Sequence, residues 1–182
     1  MKIGIIIGSV REGRRGKTVA DWVQAHVTQR ADAEYELLDL KEFGVPPLTS
    51  ATVPGAANKQ YDDPHVTRWS RAVDACDGFV FITPEYNHGV PGSFKNAFDS
   101  LGSEWAGKTV GFVSYGADAG VRAVEQWRQI VANFQMLDVR ACVALSLFTD
   151  FAEDALAPLE RRDGELATLF DQLTSLTERL DA

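Results

Sequence analysis

Residues 3–9 read Ile3-Gly4-Ile5-Ile6-Ile7-Gly8-Ser9, four isoleucines around one glycine, closing on a glycine and a serine. An apolar run this short, with no polar alternation, fits a strand buried on both faces, the habit of parallel sheets covered by helices. Phe79-Val80-Phe81-Ile82, Val110-Gly111-Phe112-Val113 and residues 139–145 read the same way. Glu34-Tyr35-Glu36-Leu37-Leu38-Asp39-Leu40 is strand-like but more polar, as an edge strand is. Between these runs the apolar spacing becomes helical. Val19, Trp22, Val23 and Val27 share one face, as do Val66, Trp69, Val73 and Cys76, and Val124, Trp127, Val131 and Phe134. Residues 92–100 complete the alternation, and Leu166, Leu169, Phe170, Leu173, Leu176 and Leu180 make a last amphipathic helix.

Five strands alternating with five helices predict a single doubly wound α/β domain over residues 1–182, with helices on both faces of a five-stranded parallel sheet. The flavodoxin-like order 2-1-3-4-5 is preferred to a Rossmann half-order. It sets the polar strand at an edge and the three driest strands inside.

The chain is 45% hydrophobic and 24% charged with a net charge of −8, a balance that excludes disorder and disfavours a nucleic-acid or anionic-membrane coat. No apolar run is long enough to span a bilayer. The first strand begins at once, so no leader peptide is expected. Cys76 and Cys142 form no C-x-x-C motif and are read as buried, reduced thiols, which places the protein in the cytoplasm. The acidity is uneven: residues 150–182 hold nine acids against three arginines, whereas residues 11–17 hold four cations and one acid.

Ligands of open α/β sheets bind beyond the carboxyl ends of the strands, where the order reverses. Here that means the loops after strands one, three and four. The first carries Arg11, Arg14, Arg15 and Lys17 with Gly13 and Gly16, at the start of a helix. Cations there oppose the helix dipole, a local cost that a bound phosphate dianion offsets. The loop is not G-x-G-x-x-G. Gly16-Lys17-Thr18 imitates the end of a Walker A loop, but Arg11 stands at the first glycine and Thr83 where an Mg²⁺-binding Asp is wanted, so a P-loop protein is a weak alternative. The second loop, Thr83-Pro84-Glu85-Tyr86-Asn87-His88-Gly89, offers the flat face of Tyr86 and the donors and acceptor of Asn87, a setting for a planar heterocycle with polar edges. The third, Ser114-Tyr115-Gly116 running to Gly120, lets backbone approach the same ligand. Residues 43–64, with Pro46, Pro47, Pro54 and Pro64, form a connection long enough to be a lid or binding loop. His26 and His65 lack the spacing of metal ligands, and no metal site is expected.

Gly8-Ser9-Val10-Arg11, the pattern T-P-E-Y-N-x-G-x-P-G-x-x-K-N-A-x-D over residues 83–99 and S-Y-G-x-x-x-G over 114–120 together resemble the NADPH-dependent FMN reductase family. These are flavodoxin-like flavoproteins that also include quinone, azo-dye and chromate reductases. The resemblance runs from about residue 2 to residue 145 and is most specific at Pro84-Glu85-Tyr86-Asn87. It implies FMN as cofactor, NADPH or NADH as donor, and a small acceptor: a quinone, free flavin, azo dye or metal oxyanion. It also implies that Ser9 and Arg11 contact the FMN phosphate, joined by Arg14, Arg15 and Gly16, the last two through backbone. Many relatives carry Ser and Asn where this chain has Arg14 and Gly16. Pro84, Glu85, Tyr86 and Asn87 line the isoalloxazine, chiefly by main chain, and Ser114, Tyr115 and Gly116 close the other side. A homodimer or homotetramer is implied, with the helix starting near Gly92 close to its interface. No side chain is assigned as catalytic acid or base, because the cofactor carries the chemistry. The rival reading is a non-enzymatic flavodoxin-type electron carrier or flavin-binding regulator. A response-regulator receiver is excluded by Gly8-Ser9 and Thr83, where acids and the phospho-acceptor Asp are needed.

Overall fold

The computed structural model describes residues 1–181; Ala182, the last residue of the expected domain, lies outside them. In chain order the elements are β1 (Lys2–Ile7), α1 (Gly16–Val27), β2 (Glu34–Asp39), the one-turn α2 (Leu40–Phe43), α3 (Pro64–Asp74), β3 (Gly78–Pro84) and α4 (Gly92–Asp99). There follow β4 (Thr109–Gly116), α5 (Val121–Val131), β5 (Leu137–Ser146), the two-residue strands β6 (Phe151–Ala152) and β7 (Ala155–Leu156), and α6 (Arg161–Asp181). Strands β1 to β5 form one parallel sheet in the order β2-β1-β3-β4-β5, the order expected from the polarity of the strands. Every residue of β3 and β4 is buried, whereas the edge strand β2 is buried only at its last two residues.

Alternation along the strands divides the core in two. Ile3, Ile5, Ile7, Val80 and Ile82 pack with α1 and α6 on one face, and Ile6, Phe79, Phe81 and Phe112 with α3, α4 and α5 on the other. The second face is aromatic. The Phe81 ring lies 4.9–6.2 Å from those of Phe94, Phe98, Trp105, Phe112 and Trp127. A buried indole N–H needs an acceptor. Trp69 donates to the Ala97 carbonyl at 2.9 Å, Trp105 to the Phe98 carbonyl at 3.1 Å and Trp127 to the Thr83 hydroxyl at 3.1 Å.

Three details differ from the helical and thiol readings of the sequence. Helix α3 stops at Asp74 and α5 at Val131, so Cys76 and Phe134 reach the core from the turns that follow. Cys76 is buried, which pushes its thiol up to about 11, but Cys142 is only partly covered. The hairpin β6–β7 was not expected at all.

The long connection after α2 is a strap with a single 3₁₀ turn at Pro54–Ala56. Asn96 of α4 grips it, donating to the Pro46 carbonyl at 2.8 Å and accepting from the Leu48 N–H at 2.9 Å. Tyr61 donates at 2.8 Å to the fully buried Glu104, whose carboxylate also accepts from Ser70 at 2.6 Å and the Gly102 N–H at 2.9 Å. Among the described residues, no helix is long and apolar enough to cross a membrane.

Candidate functional site

The carboxyl ends of β1, β3, β4 and β5 open into one cavity of about 330 Å³. Its floor depends on close backbone approach. Gly8, just past β1, donates its N–H to the Ile82 carbonyl at 2.9 Å, and a Cβ there would fall 2.1 Å from the Phe94 ring. The chain then crosses residues 9–15 and enters α1 at Gly16. A Cβ on Gly16 would meet the Tyr115 hydroxyl at 2.7 Å, so glycine lets the helix start pack against β4.

The first turn of α1 carries no acidic residue, and Arg15, at its N-cap, makes no side-chain cap. The leading N–H groups of a helix have no partner within it and carry its positive pole. The four cations of the loop are not equivalent around that pole. Arg14 is spent: its guanidinium forks onto Asp39 at 2.7 and 2.5 Å and donates to the Ser9 carbonyl at 2.6 Å. Asp39 in turn caps α2 by accepting from the Lys41 N–H at 3.1 Å. Lys17 pairs with Asp21 along the outer face of α1, away from the cavity, and the Thr18 hydroxyl supports the helix start by donating to the Arg15 carbonyl at 2.9 Å. Arg15 turns to the β6–β7 hairpin and donates to the Glu153 carbonyl at 2.9 Å and to Asp154 at 3.0 Å. Arg11 has no acidic partner among the described residues; its guanidinium lies 5.9 Å from the centre of the Tyr86 ring.

The β3 loop forms the opposite wall. The Tyr86 hydroxyl bonds Ser9 Oγ at 2.8 Å, joining the first and third strand loops directly. Tyr86 and Gly89 exchange backbone hydrogen bonds of 3.0 Å around Asn87 and His88, both left-handed at φ 49° and 66°, a tight two-residue turn. Glu85 is committed to structure. Its carboxylate accepts from the Arg122 side chain at 2.5 Å and from the Arg122 N–H at 3.1 Å, holding the start of α5, while its own N–H donates to the Tyr115 carbonyl at 3.1 Å. Burial holds the Tyr115 phenol well above its ordinary range, so it remains a neutral hydroxyl beside Ser9 and Gly16.

Nine of the twelve residues named from the sequence line this cavity: Ser9, Arg11, Arg14, Arg15, Pro84, Glu85, Tyr86, Tyr115 and Gly116. Three do not. Asn87 is exposed at the tip of its turn, because the left-handed turn carries it past the wall. Ser114 is fully buried and donates to the Ala119 carbonyl at 2.8 Å, and Gly16 lies behind Tyr115. The N–H groups of Glu85 and Tyr86 are already paired, which narrows the main-chain contacts expected of that segment. The lining also includes Gly13, Leu147 and Asp154. Gly13, at φ +59°, sat in plain view in the glycine-rich loop, and Leu147 follows β5 at the same carboxyl edge. Asp154 gave no local signal.

A parallel 2-1-3-4-5 sheet whose carboxyl edge joins an electropositive helix start to an aromatic wall defines a flavodoxin-like fold with a ligand site at its switch point. The chain belongs to the NADPH-dependent FMN reductase family, whose model matches residues 1–150. It is 42% identical to the NAD(P)H-dependent FMN reductase ntnL of Nectria sp over 69% of this chain and 64% of that protein, so the match spans just under two thirds of that relative. An NAD(P)H-dependent FMN reductase of Schizosaccharomyces pombe is 33% identical over 97% of this chain and 90% of its own. Among solved structures, the flavoenzyme NAD(P)H:(acceptor) oxidoreductase FerB of Paracoccus denitrificans superposes with a TM-score of 0.74 at 18% identity, covering 98% of this chain and 97% of that one, a likeness of fold.

Proposed function

We propose that this cavity would seat FMN, the α1 start holding its phosphate and the β3 and β4 loops walling its ring, in an enzyme that reduces a small planar oxidant. One observation carries the reading: Arg11, which has no acidic partner among the described residues, and a helix N-terminus without a side-chain cap open into the same cavity as Tyr86, Pro84 and Gly116. When bound, FMN accepts a hydride from NAD(P)H and returns the electrons to the acceptor. The chain's own groups supply position. Ser9 and Arg11 hold the phosphate by charge-assisted hydrogen bonds, together with the N–H groups of Arg15 and Gly16. Arg14 does not reach for the ligand; it braces the Ser9 carbonyl against Asp39. Pro84, Tyr86 and Gly116 wall the ring, while Glu85 keeps α5 and its loop in register. Relatives named quinone reductases support a quinone as acceptor.

The visible spectrum of the purified protein after gel filtration tests this: flavin bands that bleach on anaerobic NADPH support it, and a protein that stays colourless and gains nothing from added FMN refutes it. Arg11→Ala is expected to weaken FMN binding about tenfold or more, the worth of one charge-assisted hydrogen bond, while leaving riboflavin binding unchanged. Affinity titrations with both flavins check it.

We also infer that residues 1–182 act as one cytoplasmic FMN-binding unit, assembled as a homodimer or homotetramer. The apolar groove between Val53, Phe98 and Ile130, beside α4, supports the assembly. Sedimentation velocity reads it; a monomer at every concentration refutes it.

A further inference from the structure

Among the described residues the Arg15 guanidinium makes three contacts, all to one hairpin far along the chain. It donates to the Glu153 carbonyl and to Asp154 Oδ1 at 2.9 and 3.0 Å, and its guanidinium carbon lies 5.4 Å from the centre of the Phe151 ring. Asp154, 96% exposed, lines the same cavity as Ser9 and Arg11. A carboxylate there opposes the anion for which the cavity is otherwise arranged. Three other acids of the site are engaged elsewhere: Asp39 holds Arg14 and caps α2, Glu85 holds Arg122, and Glu12 pairs with Lys41. Among the described residues the Asp154 side chain makes a single bond, to Arg15. The bend that delivers it is a left-handed Glu153, at φ 57°. The base of the hairpin is fixed independently of it: Phe151 is nearly buried, and Asp150 is fully buried and bound by both nitrogens of the Arg162 fork at 2.9 and 3.0 Å.

We propose that Asp154 is a displaceable stand-in for the cofactor phosphate and thereby a residue that sets specificity between flavins. This rests on the FMN reading above. With no phosphate present, Asp154 neutralises Arg15 and ties the hairpin tip to the start of α1. A phosphate dianion takes Arg15 over, Asp154 returns to water, and only the tip at 153–154 is released, because Asp150 and Phe151 stay anchored. Charge is conserved in the exchange, and no covalent bond changes. The carboxylate lowers affinity only for ligands that carry the phosphate. A flavin without one leaves the clasp shut.

The test is the affinity of the full chain for FMN and for riboflavin, by quenching of flavin fluorescence, in wild type, Asp154→Asn, Arg15→Gln and the double variant. Asparagine keeps an oxygen for Arg15 and loses only the charge. Asp154→Asn is expected to tighten FMN binding about threefold to tenfold at low salt, less at high salt, and to leave riboflavin unchanged. The gain is expected to vanish in the Arg15→Gln background. No change with FMN, an equal change with both flavins, or a gain that persists without Arg15 overturns the proposal. If wild type does not bind FMN, the functional reading itself fails. Wild-type binding that Asp154→Asn leaves unaltered defeats the clasp alone.

Discussion

A Cβ at Gly8 would stand 2.1 Å from a Phe94 ring that is fully buried and packed 4.9 Å from Phe81 and 4.7 Å from Trp127. That ring has nowhere to swing, so Gly8→Ala must push α4 away from β1. The expected cost is about 1–3 kcal/mol, seen as a lower denaturation midpoint with an unchanged slope. The sequence marks Gly8 as the end of a strand, but its partner across the sheet is visible only in three dimensions. The cations of the next loop make the same point. Their number and place are legible and point to the right edge of the sheet. Which of them is neutralised is legible only for Lys17, four residues before Asp21 on one helix, because Asp39 and Asp154 meet Arg14 and Arg15 from distant parts of the chain. Arg11 and Arg14 look alike in the sequence, yet one faces the cavity unpaired and the other is a brace.

At the scale of elements, the hairpin β6–β7 hangs on Asp150. Burial, the largest single influence, pushes this carboxyl up; the Arg162 fork and the N–H groups of Leu159 and Ser146 outweigh it and hold it at about 2. A carboxyl whose folded value lies below its unfolded value of 3.8 stabilises the fold above that pH and ceases to as pH falls through the folded value. The contribution is about 2 kcal/mol, lost between about pH 4 and pH 2. In urea unfolding, the stability gap between wild type and Asp150→Asn is therefore expected to shrink by that amount across this window. At neutral pH, Asp150→Ala, which leaves the buried Arg162 only its pairing with Glu165 among the described residues, is expected to cost about 1.5–3 kcal/mol. None of this was legible from residues 147–160. Two-residue strands leave no period to read, and an acid there looks like any other acid of the tail. The long strands and helices were legible for the opposite reason: β3 and β4 are dry throughout, and their helices repeat an apolar face over several turns.

For the whole molecule, most of the buried aromatic rings lie in one half of the core. Phe81→Ala would empty the space at the meeting point of six rings and is expected to cost about 3–5 kcal/mol. Phe148→Ser, at a side chain 78% exposed, is expected to stay within about 0.5 kcal/mol of wild type. Thermal melts of the two variants separate these outcomes. The bonds around the cavity have a further consequence, for redesign. Ser9 to Tyr86, Glu85 to Tyr115 and Leu147 to Gly116 stitch the loops after β1, β3, β4 and β5 to one another. These loops are therefore not interchangeable modules. A loop transplanted alone from a relative arrives without its counterpart across the seam, and the freedom to widen the range of acceptors lies outside the stitching, at outward side chains such as Asn87, His88 and Phe148.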